Sequence, residues 1–138
     1  MKIMLAGSFA FAKEIVKIKK QLEDMEHTTL TTDDLELYAD SPSIKASFDE
    51  ELKQCIKHDS MRDGFNQVAD SDIILVCNYQ KNNIQGYLGT SVLMEIAVAY
   101  HLNKKVFLLY DYDKSHSYGL EIAIVNPVII EGDLSNIQ

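Results

Sequence analysis

Short apolar runs alternate along this chain with longer stretches in which apolar residues recur every three or four positions. Residues 3–6 form the first apolar run, and the stretch from 11 to 25 that follows has helical spacing. Residues 73–77 are apolar at every position, as is typical of strands that helices cover on both faces. This alternation predicts an α/β domain built on a parallel sheet.

Three further segments predict strands. Residues 28–32 are short and rich in threonine, which indicates a weak strand near the edge of the sheet. Apolar runs over 106–110 and 128–130 predict the fourth and fifth strands. Because helical segments separate the strands, we expect connections of the βαβ type.

Helices are predicted between these strands. After the polar segment 33–41, a second stripe of helical spacing could be capped by Ser41 or Ser43. The apolar members of this stripe are Ile44, Phe48, Leu52, Cys55 and Ile56. A further helix is predicted from about residue 89 to 102, and a short one near 116–124.

Together these elements predict a single domain over residues 1–138. Its fold class is α/β, a doubly wound, mostly parallel five-stranded sheet with helices on both faces, as in Rossmann-like and flavodoxin-like proteins. Our hypothesis for the strand order is 2-1-3-4-5. Ligands bind at the carboxyl ends of the strands in such sheets, so we expect the site to lie in loops 7–11 and 78–91.

The charge of the chain narrows the class of ligand. The 138 residues include 21 Asp and Glu against 13 Lys and Arg, a formal net charge of −8. A protein that binds duplex nucleic acid needs a basic face, so no nucleic-acid partner is expected. Residues 21–63 hold 12 acidic and 4 basic residues, which accounts for the whole excess. The predicted pocket lies outside this segment, and a small anionic nucleotide is therefore compatible with the charge.

No cofactor, metal or membrane partner is expected. The loop at Gly7 and Ser8 lacks the glycine pattern of a dinucleotide-binding turn, no P-loop motif occurs, and the four histidines show no metal-ligand spacing. Cys55 and Cys77 lie in apolar patterns and are interpreted as core thiols. The sequence shows neither a signal-peptide pattern nor about 20 consecutive apolar residues, which leads us to expect a cytoplasmic protein.

One carboxylate interrupts the apolar segment 88–102. Glu95 is the acidic residue in this predicted helix, and a helix that is apolar almost all round is usually buried on most sides. Glu95 could be a capping glutamate or could face solvent, but a capping box needs Ser or Thr three residues earlier, where Val92 stands. The functional alternative is a nucleophile or base that points into the crevice next to the helix start at Gly89.

The residues around Glu95 form a motif. Gly86-Tyr87-Leu88-Gly89-Thr90 precedes Glu95, and Asn103-Lys104-Lys105-Val106 leads into the next strand. This arrangement resembles the motif of the nucleoside 2-deoxyribosyltransferase superfamily, which includes the 2′-deoxynucleoside 5′-phosphate N-hydrolases. The segments Ala6-Gly7-Ser8-Phe9 and 69–75 are similar to the first-strand loop of that superfamily and to the approach to its third strand.

The resemblance implies an enzyme that cleaves or transfers the N-glycosidic bond of a nucleoside, a deoxynucleoside or its 5′-monophosphate. Glu95 would attack C1′ of the sugar and form a glycosyl-enzyme, which water or a second base then resolves, as in retaining glycosidases. A second acid would assist the leaving base. Asp63 is the nearest match, although the family position falls by spacing on Gly64, and Asp59 is the substitute. The resemblance also implies a homodimer or a higher homo-oligomer.

The partner implied is a small nucleoside or nucleotide. The residues expected to line the sugar or phosphate pocket are Gly7, Ser8, Gly89, Thr90 and Ser91. Phe9 could stack on the base, and Tyr87 could contact the ligand. Phosphate-specific members of the superfamily tend to place an arginine just after Gly-Ser, where this chain has Phe9-Ala10-Phe11 and Lys13 is the nearest cation. A free nucleoside and a 5′-monophosphate therefore both remain open.

Two other functions remain open. A phosphoribohydrolase of the cytokinin-activating type also has a Gly-Thr turn and a glutamate, but it carries Pro-Gly-Gly before the turn, where this chain has Ile84-Gln85-Gly86. A non-catalytic nucleotide-binding or sensing domain on the same fold would bind a nucleotide without turnover. Release of free base distinguishes an enzyme from such a domain.

Overall fold

The computed structural model describes residues 1–32, 35–40 and 47–138 and shows a five-stranded sheet within them. The strands are β1 (Lys2–Ala6), β2 (Thr28–Leu30), β3 (Ile73–Val76), β4 (Lys105–Leu108) and β5 (Val128–Ile129). Every neighbouring pair is parallel, and the order is β2-β1-β3-β4-β5. The predicted fold class and the hypothesis for the strand order are confirmed, with a sheet that is wholly rather than mostly parallel.

Helices cover both faces of this sheet. In the described part of the chain they are α1 (Ala12–Asp24), α2 (Leu35–Asp40), α3 (Phe48–His58), α4 (Ser60–Asp70), α5 (Thr90–His101) and α6 (Gly119–Val125). Ile3 and Leu5 of β1 lie in a buried cluster with residues of α1 and α2. Met4 and Ala6 face the other way and lie in a second buried cluster with residues of α4, α5 and α6. Alternate residues of β1 thus pack into the two halves of the core, one on each face of the sheet.

The segment between β2 and β3 departs from the prediction. Leu35–Asp40 form the short helix α2 within the polar segment 33–41, where no element was predicted. Leu35 is buried in the core, and Tyr38 and Ala39 pack against the same cluster. A helix of six residues is too short to show a helical period in the sequence, which is why the pattern did not predict it.

The start of α3 is set by Ser47, not by Ser41 or Ser43. The Ser47 side chain accepts a hydrogen bond from the backbone N–H of Glu50, and the Glu50 carboxylate accepts one from the backbone N–H of Ser47. This reciprocal pair is a capping box, and it begins the helix at Phe48. Ser41, Ser43 and Ile44 lie outside the described residues.

The apolar stripe of α3 is not buried. Phe48 and Ile56 are 77% and 71% exposed, and Leu52 is also exposed. Cys55 is exposed as well, so its interpretation as a core thiol is wrong, whereas Cys77 is buried as predicted. The physical reason is that α3 packs chiefly against α4 and has no buried residue of its own.

Asn78 organises the carboxyl edge of the sheet, just beyond β3. Its side-chain N–H donates to the carbonyl of Tyr110 at 2.7 Å, and its side-chain oxygen accepts from the N–H of Tyr110 at 2.9 Å. Its amide also reaches the carbonyl of Gly86 at 3.5 Å. Gly86 has φ +64°, and a Cβ there would lie 1.9 Å from the carbonyl oxygen of Asp111. The loop before α5 is therefore tied to the segment after β4.

No helix in the described ranges is long and apolar enough to span a membrane.

Replacing Asn78 by alanine should lower the free energy of unfolding by about 2 kcal/mol, because two partly buried backbone groups of Tyr110 lose their partner. Urea denaturation of the purified protein measures this loss. Asn66→Ala is the matched control, since Asn66 is exposed on α4 and should change stability by less than about 0.5 kcal/mol. Equal effects of the two substitutions would contradict the structural role of Asn78.

Candidate active site

Glu95 lies in the second turn of α5 and faces α4. A Cβ built on Gly64 of α4 would lie 3.3 Å from Glu95 Oε1, so glycine leaves this carboxylate room against the neighbouring helix. Glu95 Oε2 is fully buried and has no hydrogen-bond partner among the described residues. Burial raises the pKa of Glu95 to about 7. The structure therefore contains a carboxyl group that is half ionised near neutral pH and lacks a stabilising partner.

Neither structural alternative for Glu95 describes this arrangement. The N-cap of α5 is Gly89, and it makes no side-chain capping bond. The buried Oε2 atom shows that the side chain is not turned into solvent. An unpartnered buried carboxylate lowers stability, which is typical of a group kept for chemistry.

The second-acid candidates lie at different distances from this carboxylate along α4. Gly64, the position that spacing matched to the family acid, lies against Glu95, whose Oε1 would be 3.3 Å from a Cβ at this position. Asp63 is its immediate neighbour, partly buried, and its carboxylate accepts a hydrogen bond from Gln67 Nε2 at 3.3 Å. Asp59 is exposed in an ion pair with Arg62 at 3.2 Å.

Gln67 is a polar residue of this region that the sequence reasoning did not identify. It lies on the same face of α4 as Gly64, one turn further along, and its side chain reaches back to Asp63. Its Oε1 atom is buried and, in the described part of the chain, makes no hydrogen bond. Within the described residues, α4 and α5 thus each carry a buried acceptor atom without a hydrogen-bond partner, Gln67 Oε1 and Glu95 Oε2.

The first loop packs tightly on the end of β3. A Cβ on Gly7 would lie 2.9 Å from Ile15 Cδ1 and 3.2 Å from the carbonyl oxygen of Cys77, so a side chain here would require these neighbours to shift. Ser8 follows and caps a short 3-10 turn by accepting from the N–H of Ala10 at 3.3 Å. The predicted loop residues Gly7 and Ser8 therefore lie directly next to the third strand.

The predicted aromatic residues lie on either side of Ser8. Phe9 is 38% exposed, and its ring stacks on Tyr38 with 4.6 Å between centroids and 6° between planes. Tyr87 is partly buried, and its Cε1 atom lies 3.6 Å from the position of a Cβ on Gly89. The exposed residues Thr90 and Ser91 form the first turn of α5. Phe9 thus already has an aromatic partner within the chain.

Lys81 is the second polar residue that the sequence reasoning missed. Its ammonium donates to Ser8 Oγ at 3.1 Å and lies 5.4 Å from the centroid of the Tyr87 ring. This contact joins the loop after β1 to the loop after β3. Lys81 is the single cation in loop 78–91, but its contact with Ser8 becomes apparent only when the pairing of β1 with β3 brings the two loops together.

A cavity of about 340 Å³ lies elsewhere, between α5 and α6. Its walls include Ile96, Tyr118 and Ile122 and none of the predicted site residues. In the part of the chain that is described, no group of three His, Cys, Asp or Glu side chains could hold a metal ion. Asp63 and Glu95 lie instead near the starts of α4 and α5.

Glu95→Gln should stabilise the protein in a pH-dependent way. In the unfolded chain Glu95 ionises near pH 4.5, but in the folded protein it keeps its proton up to about pH 7. The folded state therefore loses stability as the pH rises between these values. The gain from Glu95→Gln should be near zero at pH 4 and up to about 3 kcal/mol at pH 8.

Urea denaturation at a series of pH values measures this gain. Glu121→Gln, at an exposed glutamate of α6, is the control and should shift stability by a small amount that does not follow this curve. A gain for Glu95→Gln that stays constant with pH would show that Glu95 ionises normally in the folded protein.

No protein-family model and no curated protein matches the sequence. Among solved structures, the fold is similar to that of Clostridium botulinum CMP N-glycosidase, BcmB, with a TM-score of 0.53 and 17% sequence identity. The alignment covers 94% of this chain and 87% of that chain. The architecture described above is thus one on which a CMP N-glycosidase is also built.

Proposed function

We propose that the protein breaks the N-glycosidic bond of a nucleoside or its 5′-monophosphate, with Glu95 as nucleophile. It would act either as an N-glycosidase, which is a hydrolase, or as a nucleoside deoxyribosyltransferase. The observation that carries the proposal is the buried, unpartnered carboxyl of Glu95 against Gly64. The likeness in fold to a CMP N-glycosidase supports the same class of bond cleavage.

In the first step, a carboxylate oxygen of Glu95 forms a bond to C1′ of the sugar while the bond from C1′ to the base nitrogen breaks. The electron pair of the broken bond leaves with the base, which takes up a proton from water. Positive charge develops at C1′ in the transition state. Glu95 Oε2 is buried and has no hydrogen-bond partner in the described part of the chain, so it interacts strongly with this charge. The ground-state cost of burying Glu95 is thereby offset in the transition state.

Asp63 is proposed as the acid that assists the leaving base. It is the neighbour of Gly64 on the helix that contacts Glu95, and Gln67 holds its carboxyl group in place. Asp59 is less suited, because Arg62 engages it at the exposed start of α4. In the second step, water or a second base attacks C1′, the bond to Glu95 breaks, and the carboxylate is regenerated.

A base-release assay tests the proposal. The purified protein is incubated with each common ribonucleoside and deoxyribonucleoside and with each 5′-monophosphate, with and without an acceptor base, and free base is measured by chromatography. We expect release from at least one of them. Binding of a nucleotide without any release would instead indicate a nucleotide-sensing domain.

Glu95→Gln should reduce the rate of base release by at least about 1,000-fold, since an amide does not attack C1′. In the wild-type protein, kcat/KM should rise with pH and level off above an apparent pKa near 7, because Glu95 must be ionised to act. A Glu95→Gln variant with full activity would show that another group is the nucleophile.

Asp63→Asn should slow base release by about 100-fold or more, because the departing base loses the carboxyl group proposed to assist it. Asp59→Asn, at the exposed start of α4, is the matched control. It should change the rate of base release by less than about twofold relative to the wild-type protein. If the Asp59 variant is the impaired one and the Asp63 variant is not, the assignment of the second acid is reversed.

The homodimer or higher homo-oligomer that the resemblance implies stays a prediction. The molar mass in solution, measured by light scattering on an eluting column, tests it.

A further inference from the structure

A cation from the loop after β3 reaches the first loop of the fold. Lys81 donates to Ser8 Oγ at 3.1 Å, across 73 positions of sequence. The first loop contains no Lys or Arg between residues 7 and 11, so Lys81 supplies the positive charge that this loop lacks. The contact places an ammonium group at the carboxyl edge of the sheet, where ligands of such folds bind.

Neither side chain of this pair uses all of its hydrogen-bonding capacity in the contact. An ammonium has three N–H donors, and one of those of Lys81 goes to Ser8. Ser8 Oγ accepts from Lys81 and from the N–H of Ala10, which leaves its hydroxyl hydrogen to donate. Within the described residues, no carboxylate forms an ion pair with Lys81. The pair therefore offers several donors and one positive charge.

The backbone of Lys81 is held in place by a tight turn. The N–H of Lys81 donates to the carbonyl of Ile84 at 3.1 Å, and the N–H of Ile84 donates back at 2.9 Å. Asn82 and Asn83 between them have φ values of +53° and +60°. Two successive positive φ values are typical of a type I′ turn, which asparagine tolerates. Binding an anion would thus require little ordering of this segment.

The neighbouring residues restrict where an anion can lie. The ring of Tyr87 is 5.4 Å from the ammonium of Lys81 and flanks it on one side. Tyr87 in turn packs next to Gly89, the N-cap of α5, whose lack of a side chain leaves the amides of the first turn without a side-chain cap. An anion between Ser8 and Tyr87 would lie near the helix that carries Glu95.

We propose that Lys81 and Ser8 form the subsite for the 5′-phosphate, so that the substrate is a nucleoside 5′-monophosphate rather than a free nucleoside. The proposal rests on the proposed function, because the reacting sugar must place C1′ at Glu95. A lysine binds a phosphate as a point charge, and the Ser8 hydroxyl adds a neutral donor. The cation comes from the loop after β3 instead of the residues that follow Gly7 and Ser8.

Calorimetric titration tests the subsite without requiring turnover. The Glu95→Gln variant, in which turnover is suppressed, is titrated with the common ribonucleosides and deoxyribonucleosides and with their 5′-monophosphates. For the base that binds best, we expect the monophosphate to bind at least about tenfold more tightly than its nucleoside. Adding Lys81→Met to this variant should weaken binding of the monophosphate by about 10- to 100-fold and leave binding of the nucleoside unchanged.

Two further substitutions separate charge from local structure. Lys81→Arg keeps the positive charge and should retain most of the preference for the monophosphate. Lys13, the cation nearest to Ser8 in the sequence, is exposed on α1. Lys13→Met should therefore change the affinity for neither the nucleoside nor the monophosphate. If Lys81→Met weakens the binding of nucleoside and monophosphate equally, the role of Lys81 is merely structural. If no monophosphate binds more tightly than its nucleoside, the proposed subsite is wrong.

The failure of this proposal is distinguishable from failure of the proposed function. If Lys81 selects for the monophosphate but wild-type protein releases no base, the subsite stands and the glycosidase activity does not. If base is released from free nucleosides and the 5′-phosphate gives no advantage, the activity stands and the subsite does not.

Discussion

The parallel pairing of β1 with β3 is the constraint on which the rest of the structure depends. It places the loops that follow these two strands next to each other at one edge of the sheet. Gly7 lies against the residue that follows β3, since a Cβ here would be 3.2 Å from the carbonyl oxygen of Cys77. Lys81 can reach Ser8 for the same reason. Residues far apart in sequence become one candidate site through the backbone hydrogen bonds of two strands.

The contact between α4 and α5 provides the second half of that site. α4 leads into β3 and α5 comes after it, so both helices cover the same side of the sheet and their N-terminal turns lie at its carboxyl edge. Glu95 and Gly64 meet in these turns. The carboxyl group is held away from water by packing, and its high pKa follows from that burial alone.

Much of the fold could be predicted from the sequence because its central strands are continuous apolar runs. The apolar run at 73–77 predicts a strand, and the apolar stripe of α1 predicts a helix. The helix α2, in contrast, is too short to show a period. The stripe of α3 was correctly assigned to a helix, but periodicity does not state what covers a helix, and here the stripe is exposed. In the site, Glu95 was recognisable as a charge in an apolar helix. Lys81 and Gln67 were not, because a lysine in a polar loop and a glutamine on a helix are common and their partners are set by tertiary contacts.

Gly64 and Glu95 lie next to each other, and each makes an unfavourable contribution to the folding free energy. Glycine within a helix lowers stability by roughly 0.5–1 kcal/mol relative to alanine. The buried carboxyl of Glu95 adds its own cost above pH 4.5. Replacing Glu95 by a neutral side chain of similar size would remove the second cost, whereas a side chain at Gly64 would crowd the carboxyl group. Selection for thermostability alone would therefore be expected to replace this carboxylate early and to keep the rest of the fold.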